Sequence, residues 1–304
     1  MPAVGLILLL MPVGAAMAQT RDQQWNWCAG NDGALPDLEI RSCTAIIASG
    51  QETAEDRAVA SSNRGAVYAD QGDYDRAIRD DNQAIDLDPS YALAWNNRCG
   101  ALNGLGEYDR AIKDCEEAMR LEPNLANAFV GRGRAYLGQG HTDLALEDFD
   151  HALKLKPGDY SALIGRANVY GENDQYERAI QVYDDITKLY PNNANAWNGR
   201  CWNRAIIGKL ADAMADCERS LTIKPNDPNV IDSRALIHLK AGRYQAAIAD
   251  YDLALSFNPN MASSLYGRGV AKRQIGDYAG GDADIDAAKR MQPDIVEAFI
   301  RYGV

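Results

Sequence analysis

Histidine is almost missing from this chain: His141, His151 and His238 are its whole supply, and they are scattered. That scarcity removes the commonest general base, and no serine or cysteine stands in a pattern that would activate it as a nucleophile. Cys-x-x-Cys does not occur, which argues against a dithiol redox centre or a zinc finger. Nor does a glycine-rich phosphate loop between a strand and a helix, and no segment reads as strand-rich. Positive charge is short as well. Lys and Arg number 31 against 43 Asp and Glu, a formal net charge of −12, and without basic clusters such a chain is a poor binder of polyanions. The many carboxylates fall at helix-surface positions, where a solvated face is the default. No cofactor, no metal and no nucleic-acid partner are therefore expected.

What the chain has is a period. Pro89, Pro123, Pro157, Pro191, Pro225, Pro259 and Pro293 follow one another at intervals of 34 residues. A strict period of this length marks a solenoid built by stacking one small unit. Other columns repeat with the prolines. Ala77, Ala111, Ala145, Ala179, Ala213, Ala247 and Gly281 form one; Ala84, Ala118, Ala152, Ile186, Ser220, Ala254 and Ala288 form a second. Gly72, Gly106, Gly140, Asp174, Gly208, Gly242 and Gly276 form a third. Each unit reads as two helices around a glycine turn, with small residues where the helices approach and proline after the second helix. Helices of three or four turns are marginal alone, so stability must come from stacking.

These columns resemble the tetratricopeptide repeat family. The match includes Tyr68, Tyr136 and Tyr170 on the first helices and Phe149, Tyr183 and Tyr251 on the second. Seven consecutive units carry it without insertion: 58–91, 92–125, 126–159, 160–193, 194–227, 228–261 and 262–295. The resemblance implies an all-α, right-handed superhelical solenoid of antiparallel helix pairs, with a concave face lined by the first helix of each unit. Residues 19–57 read as a degenerate capping repeat and 294–304 as a short capping helix that covers the last unit.

The first 18 residues are of another kind. They carry no charge, run apolar from Val4 to Val13, and end in Ala16-Met17-Ala18. This reads as a secretory signal over 1–18 with a small-residue cleavage site, although no Lys or Arg stands near Met1. The apolar stretch is short for a membrane span. A periplasmic or secreted protein, not inserted in the membrane after cleavage, is the expectation.

Six cysteines fall into three pairs, Cys28–Cys43, Cys99–Cys115 and Cys201–Cys217, each centred on a hairpin turn. Residues equally far from a turn face each other, which is the arrangement a disulfide needs. The competing reading is buried free thiols in the small-residue columns. Moving back by one residue gives a second set of pairs: Arg64–Asp80, Arg98–Asp114, Arg132–Asp148, Arg200–Asp216, Arg234–Asp250 and Arg268–Asp284. Structural ion pairs account for them better than a positive stripe does. Arg166 faces Val182 instead, and Asp184 or Asp185 is the expected substitute.

The resemblance implies that specificity lies on the concave face. Asn96, Arg134, Asn168, Asn198, Trp202, Leu236, Tyr266 and Arg273 are the candidates. The amides suit an extended peptide backbone, and Trp202 is a plausible anchor. Some family members clamp C-terminal carboxylates with lysines, which this face lacks. The expected function is a non-enzymatic scaffold of the cell envelope that holds a protein or extended peptide. The alternative is a structural component that self-associates through an apolar edge at Ile295, Phe299 and Ile300; an enzyme ranks below both.

Overall fold

The computed structural model describes residues 20–304, so the signal expected over residues 1–18 lies outside the described residues. Among those residues there are 17 helices and no strand. The fold is an all-α helical repeat. It divides into two compact units, one ending at Pro123 and the other spanning Asn124–Val304. The first contains α1 (Arg21–Cys28), α2 (Pro36–Ala48), α3 (Ala54–Asp70), α4 (Tyr74–Leu87), α5 (Ala92–Gly104) and α6 (Tyr108–Leu121). The second contains α7 (Ala126–Gly138), α8 (Thr142–Leu155), α9 (Tyr160–Glu172), α10 (Tyr176–Leu189), α11 (Ala194–Ile206) and α12 (Leu210–Ile223). It continues with α13 (Pro228–Lys240), α14 (Tyr244–Phe257), α15 (Ala262–Gln274), α16 (Tyr278–Met291) and α17 (Ile295–Arg301). No described helix is long and apolar enough to cross a membrane.

Helix boundaries follow from local chemistry. The proline ring disfavours helical geometry in the residue before it, and Asp88, at φ −143° and ψ 93°, is extended just ahead of Pro89. The glycine of each turn takes φ between 70° and 92° in six hairpins, a region closed to most side chains. There the chain closes the first helix with bonds such as Asp73 N–H to the Tyr68 carbonyl at 2.9 Å. Asp174 holds the same turn at φ 55°.

The small columns are buried where paired helices touch: Ala77, Ala111, Ala145, Ala179, Ala213 and Ala247 are at most 1% exposed. Stacking between hairpins uses a second device. The ring of Tyr183 on α10 occupies the space a β-carbon on Gly199 of α11 would need, and Tyr251 on α14 does the same to Gly267 of α15. Phe149 on α8 lies likewise over Gly165 of α9. Position 81 belongs to this ring column but carries Asp81. Its carboxyl is fully buried, accepts from Ser62 Oγ at 3.0 Å, and is pushed up to about 8 by burial.

In this structure all six cysteines are paired as Cys28–Cys43, Cys99–Cys115 and Cys201–Cys217, with Cα separations of 4.8, 5.6 and 5.5 Å. The arginine column forms forked ion pairs. Arg64, Arg98, Arg132, Arg200, Arg234 and Arg268 each donate from Nε and Nη2 to the two oxygens of Asp80, Asp114, Asp148, Asp216, Asp250 and Asp284, at 2.6–2.9 Å. The remaining Nη1 often reaches the preceding hairpin, as in Arg98 to Asn82, Arg200 to Asp184 and Arg268 to Asp252. Two parallel charge-assisted bonds fix geometry as well as add energy.

Two expectations are corrected. Asp184 does not serve Arg166; it occupies the slot that faces the following hairpin and binds Arg200 at 2.7 Å. Asp185 pairs with Lys188. Arg166 reaches Asp150 on the preceding hairpin at 3.3 Å, and its Nε is buried without a partner. The apolar edge at the last helix is not exposed either. Ile295 and Phe299 are 2% and 1% exposed because they fill the core of the last hairpins, leaving Ile300 alone on the surface.

Candidate functional site

Within the second unit, the turn-proximal ends of α9 and α11 stand apart and leave a cleft of about 780 Å³. α9 contributes Asn168, Gly171 and Glu172 to its wall, and the next turn and helix add Asp174, Tyr176 and Tyr183. From α11 come Asn198, Trp202, Asn203 and Ile206, while Arg301 and Tyr302 close the far side. Three of the residues expected from sequence, Asn168, Asn198 and Trp202, are thus brought together. The Asn198 Oδ1 is buried without a hydrogen-bond partner. Asn203 is committed to its own helix, its Nδ2 donating to the Gly199 carbonyl at 2.8 Å.

α11 is held in place from both sides. Cys201, next to Trp202, is bonded to Cys217 on α12. Arg200 and Arg204 each bind Asp216 on α12 and Asp184 on α10. A side chain offered to a ligand is most effective when the backbone beneath it cannot yield. The cleft also has a charge pattern: Glu172, whose carboxyl is raised by partial desolvation, and Asp174 share it with Arg301. The Tyr176 hydroxyl donates to Asp174, and burial together with that bond raises the phenol.

The other expected residues lie elsewhere. Asn96 sits on α5 in the first unit, its Nδ2 donating to Asn97 Oδ1 at 3.4 Å. Arg134 is exposed on α7. Leu236 is a correction: at 1% exposed it is core, enclosed with Phe299 and Ile295 rather than presented to a partner. Tyr266 is half-covered by Phe299, with ring centroids 4.6 Å apart, and Arg273 pairs with Asp282 at 3.1 Å.

Sequence reasoning missed Glu172, Lys240 and Tyr302. Glu172 and Lys240 share a column one residue beyond those taken as groove-lining, and that column holds glycine in two other hairpins, at Gly104 and Gly138. The remaining hairpins place Asp70, Ile206 and Gln274 there, so the column is mixed and singles out neither residue. The Lys240 Nζ, whose ammonium is lowered by burial, donates to the carbonyls of Ile206 at 2.7 Å and Tyr302. Tyr302 stands edge-on to Trp202 with centroids 5.1 Å apart. Tyr302 lies one period beyond Arg268, in the segment read as a capping helix, so the period gives its place but not the contacts of its ring.

A helical-hairpin array with a cleft on the face of its first helices defines a repeat scaffold of the kind that binds proteins. Family models described as tetratricopeptide repeat match residues 130–194, 164–228 and 233–303, and residues 92–125; a further TPR repeat model matches 65–102. The chain belongs to the tetratricopeptide repeat family, whose members are typically non-enzymatic scaffolds. A tetratricopeptide repeat protein from Parabacteroides merdae is 20% identical, with a TM-score of 0.61 over 82% of this chain and 96% of that one. Pseudomonas aeruginosa pilF is 22% identical, at a TM-score of 0.57 over 66% and 92%. The APC/C hetero-tetramer Cut9-Hcn1 gives 14% identity and a TM-score of 0.63 over 90% of this chain and 58% of that one. At such identities the likeness is one of fold. No curated protein matches the chain.

Proposed function

We propose that this protein is a scaffold of the cell envelope, periplasmic or secreted, that holds an extended stretch of a partner protein in the cleft between α9 and α11. The observation that carries this reading is the convergence of the Asn168 and Asn198 amides beside Trp202, on a helix tied down by a disulfide and two arginines. A side-chain amide offers both a donor and an acceptor, which is what an extended backbone requires. The buried, unpartnered Asn198 Oδ1 is an acceptor awaiting a donor, and leaving such a group unmade costs more than an average bond contributes. A large aromatic beside those amides supplies the apolar anchor. The envelope location is supported by the charge-free, apolar composition of residues 1–18 and by three paired cysteine bridges, which persist in oxidising compartments. The excess of acidic charge supports a protein partner over a nucleic acid.

The test is crosslinking capture from intact cell envelopes with the wild type, Asn198→Ala, Trp202→Ala and the surface control Lys154→Ala. Partners captured by the wild type and the control are expected to be lost or reduced about tenfold in the two cleft variants, a change of about 1.4 kcal/mol. Equal capture by all four proteins sinks the assignment of the cleft.

A further inference from the structure

Four aromatic rings form a chain across the second unit: Tyr266 on α15, Phe299 on α17, Tyr302 just beyond it, and Trp202 on α11. Its two ends do different work. Ile295 and Phe299 are buried with residues of the last hairpins, which is what a terminal cap must do for an otherwise exposed apolar face. Tyr302 goes further. Three residues after Phe299 its ring has reached α11, two hairpins upstream of α15, and its carbonyl accepts from Lys240 on α13. Neither contact is needed to cover the last hairpin. Both fall on the rim of the cleft, of which Arg301 and Tyr302 form one wall.

We propose that the seat on Trp202 is an exchange site for an aromatic side chain, filled by Tyr302 in the free protein and by an aromatic residue of an extended partner peptide in the complex. This rests on the reading of the cleft as a peptide site and specifies the partner. Edge-to-face geometry with centroids near 5 Å is the arrangement the charge distribution of two rings favours, so the seat selects an aromatic over an aliphatic group. Lys240 sets the register. Its half-buried ammonium has two carbonyl acceptors, and when Tyr302 leaves, one bond is lost until the incoming main chain supplies a carbonyl. Arg301 shares the cleft with Glu172 and Asp174, so a peptide with a basic residue ahead of its aromatic matches the charge that Arg301 vacates. Tyr302 is tethered, and a tethered group competes at an effective concentration of order millimolar. A free peptide must displace it, and its apparent affinity falls by the fraction of protein whose seat is open.

The experiment uses the full chain as wild type, Tyr302→Phe, Tyr302→Ala and the double variant Tyr302→Ala/Trp202→Ala. The probe is a synthetic heptapeptide with the sequence of residues 298–304, alongside a copy with alanine for both its phenylalanine and its tyrosine. Binding is followed by NMR titration up to millimolar peptide, and thermal unfolding reports on folding. The heptapeptide is expected to bind Tyr302→Ala at least about tenfold more tightly than the wild type, with Tyr302→Phe behaving as wild type. The alanine copy and the double variant are expected to show no binding. Should Tyr302→Ala fail to fold, Tyr302→Leu, which keeps apolar bulk without a ring, takes its place. Equal affinity for wild type and the ring-less variant, or no binding to the folded ring-less variant, overturns the exchange site. Either result leaves the cleft itself standing if Asn198→Ala still abolishes capture, so the two readings fail separately.

Discussion

Arg166 is the one arginine of its column, from Arg64 to Arg268, that faces no carboxylate across its own hairpin. Where the other hairpins place an aspartate, α10 places Val182, which is 4% exposed and packed among Leu163, Ala167 and Ile186. The Arg166 Nε is left buried and unbonded. Val182→Asp would rebuild the fork seen in six other hairpins. An aspartate introduced into a core normally destabilises by several kcal/mol. Here the substitution is expected to change unfolding free energy by no more than about 1 kcal/mol, and to cost about 3 kcal/mol or more once Arg166→Leu removes the partner. Urea denaturation of the four proteins of this cycle measures the coupling. A loss above about 2 kcal/mol from Val182→Asp with Arg166 present would refute it. The pairing of Arg64 with Asp80 and its equivalents was legible because charge type and spacing repeat together. The partner of Arg166 was not, because Asp184 lies within reach in sequence but on the flank of α10 that faces α11.

Between elements, ring and glycine form a matched pair across the hairpin interface. Gly165, Gly199 and Gly267 each stand 16 residues after Phe149, Tyr183 and Tyr251, and a β-carbon on any of them would fall within 2.4 Å of the facing ring. Cys217 has Ser233 in the same register, since a smaller side chain leaves room for a β-carbon. Gly267→Ala is therefore expected to destabilise the second unit by about 1–3 kcal/mol, the usual cost of overpacking. It should do so without loss of helix content, as read by chemical denaturation and circular dichroism. If the loss stays below about 0.5 kcal/mol, the Tyr251 ring yields and the pairing is not a constraint. Helix order and turn positions could be read from columns because each is set by local backbone chemistry. The candidate site was half legible. Asn168, Asn198 and Trp202 occupy periodic positions, whereas the covering of Leu236 and Tyr266 depends on how the side chains of Phe299 and Tyr302 pack, which column positions do not give.

At the scale of the whole chain, the bridges are unevenly distributed. The first unit holds two, Cys28–Cys43 and Cys99–Cys115, and the second holds Cys201–Cys217 alone among many more helices. Each closes a loop of 15 or 16 residues, and a crosslink of that span removes unfolded-state entropy equivalent to about 3 kcal/mol. Reduction therefore strips about 6 kcal/mol from the smaller unit and about 3 kcal/mol from the larger one. A domain's whole stability is of order 5–15 kcal/mol, so the smaller unit is left near its limit while the larger keeps a margin. Hydrogen exchange read peptide by peptide, with and without reductant, is expected to show α1 to α6 losing protection first. The helices of the second unit should follow only at higher denaturant, with α11 and α12 the most affected among them. Equal loss in both units would show that the bridges restrain little, and would remove one support for placing this scaffold in an oxidising compartment. The site would feel the change even where the fold survives, because Cys201 anchors the helix that carries Trp202 and Asn198. Of the three bridges, it is the one whose loss should weaken partner capture directly.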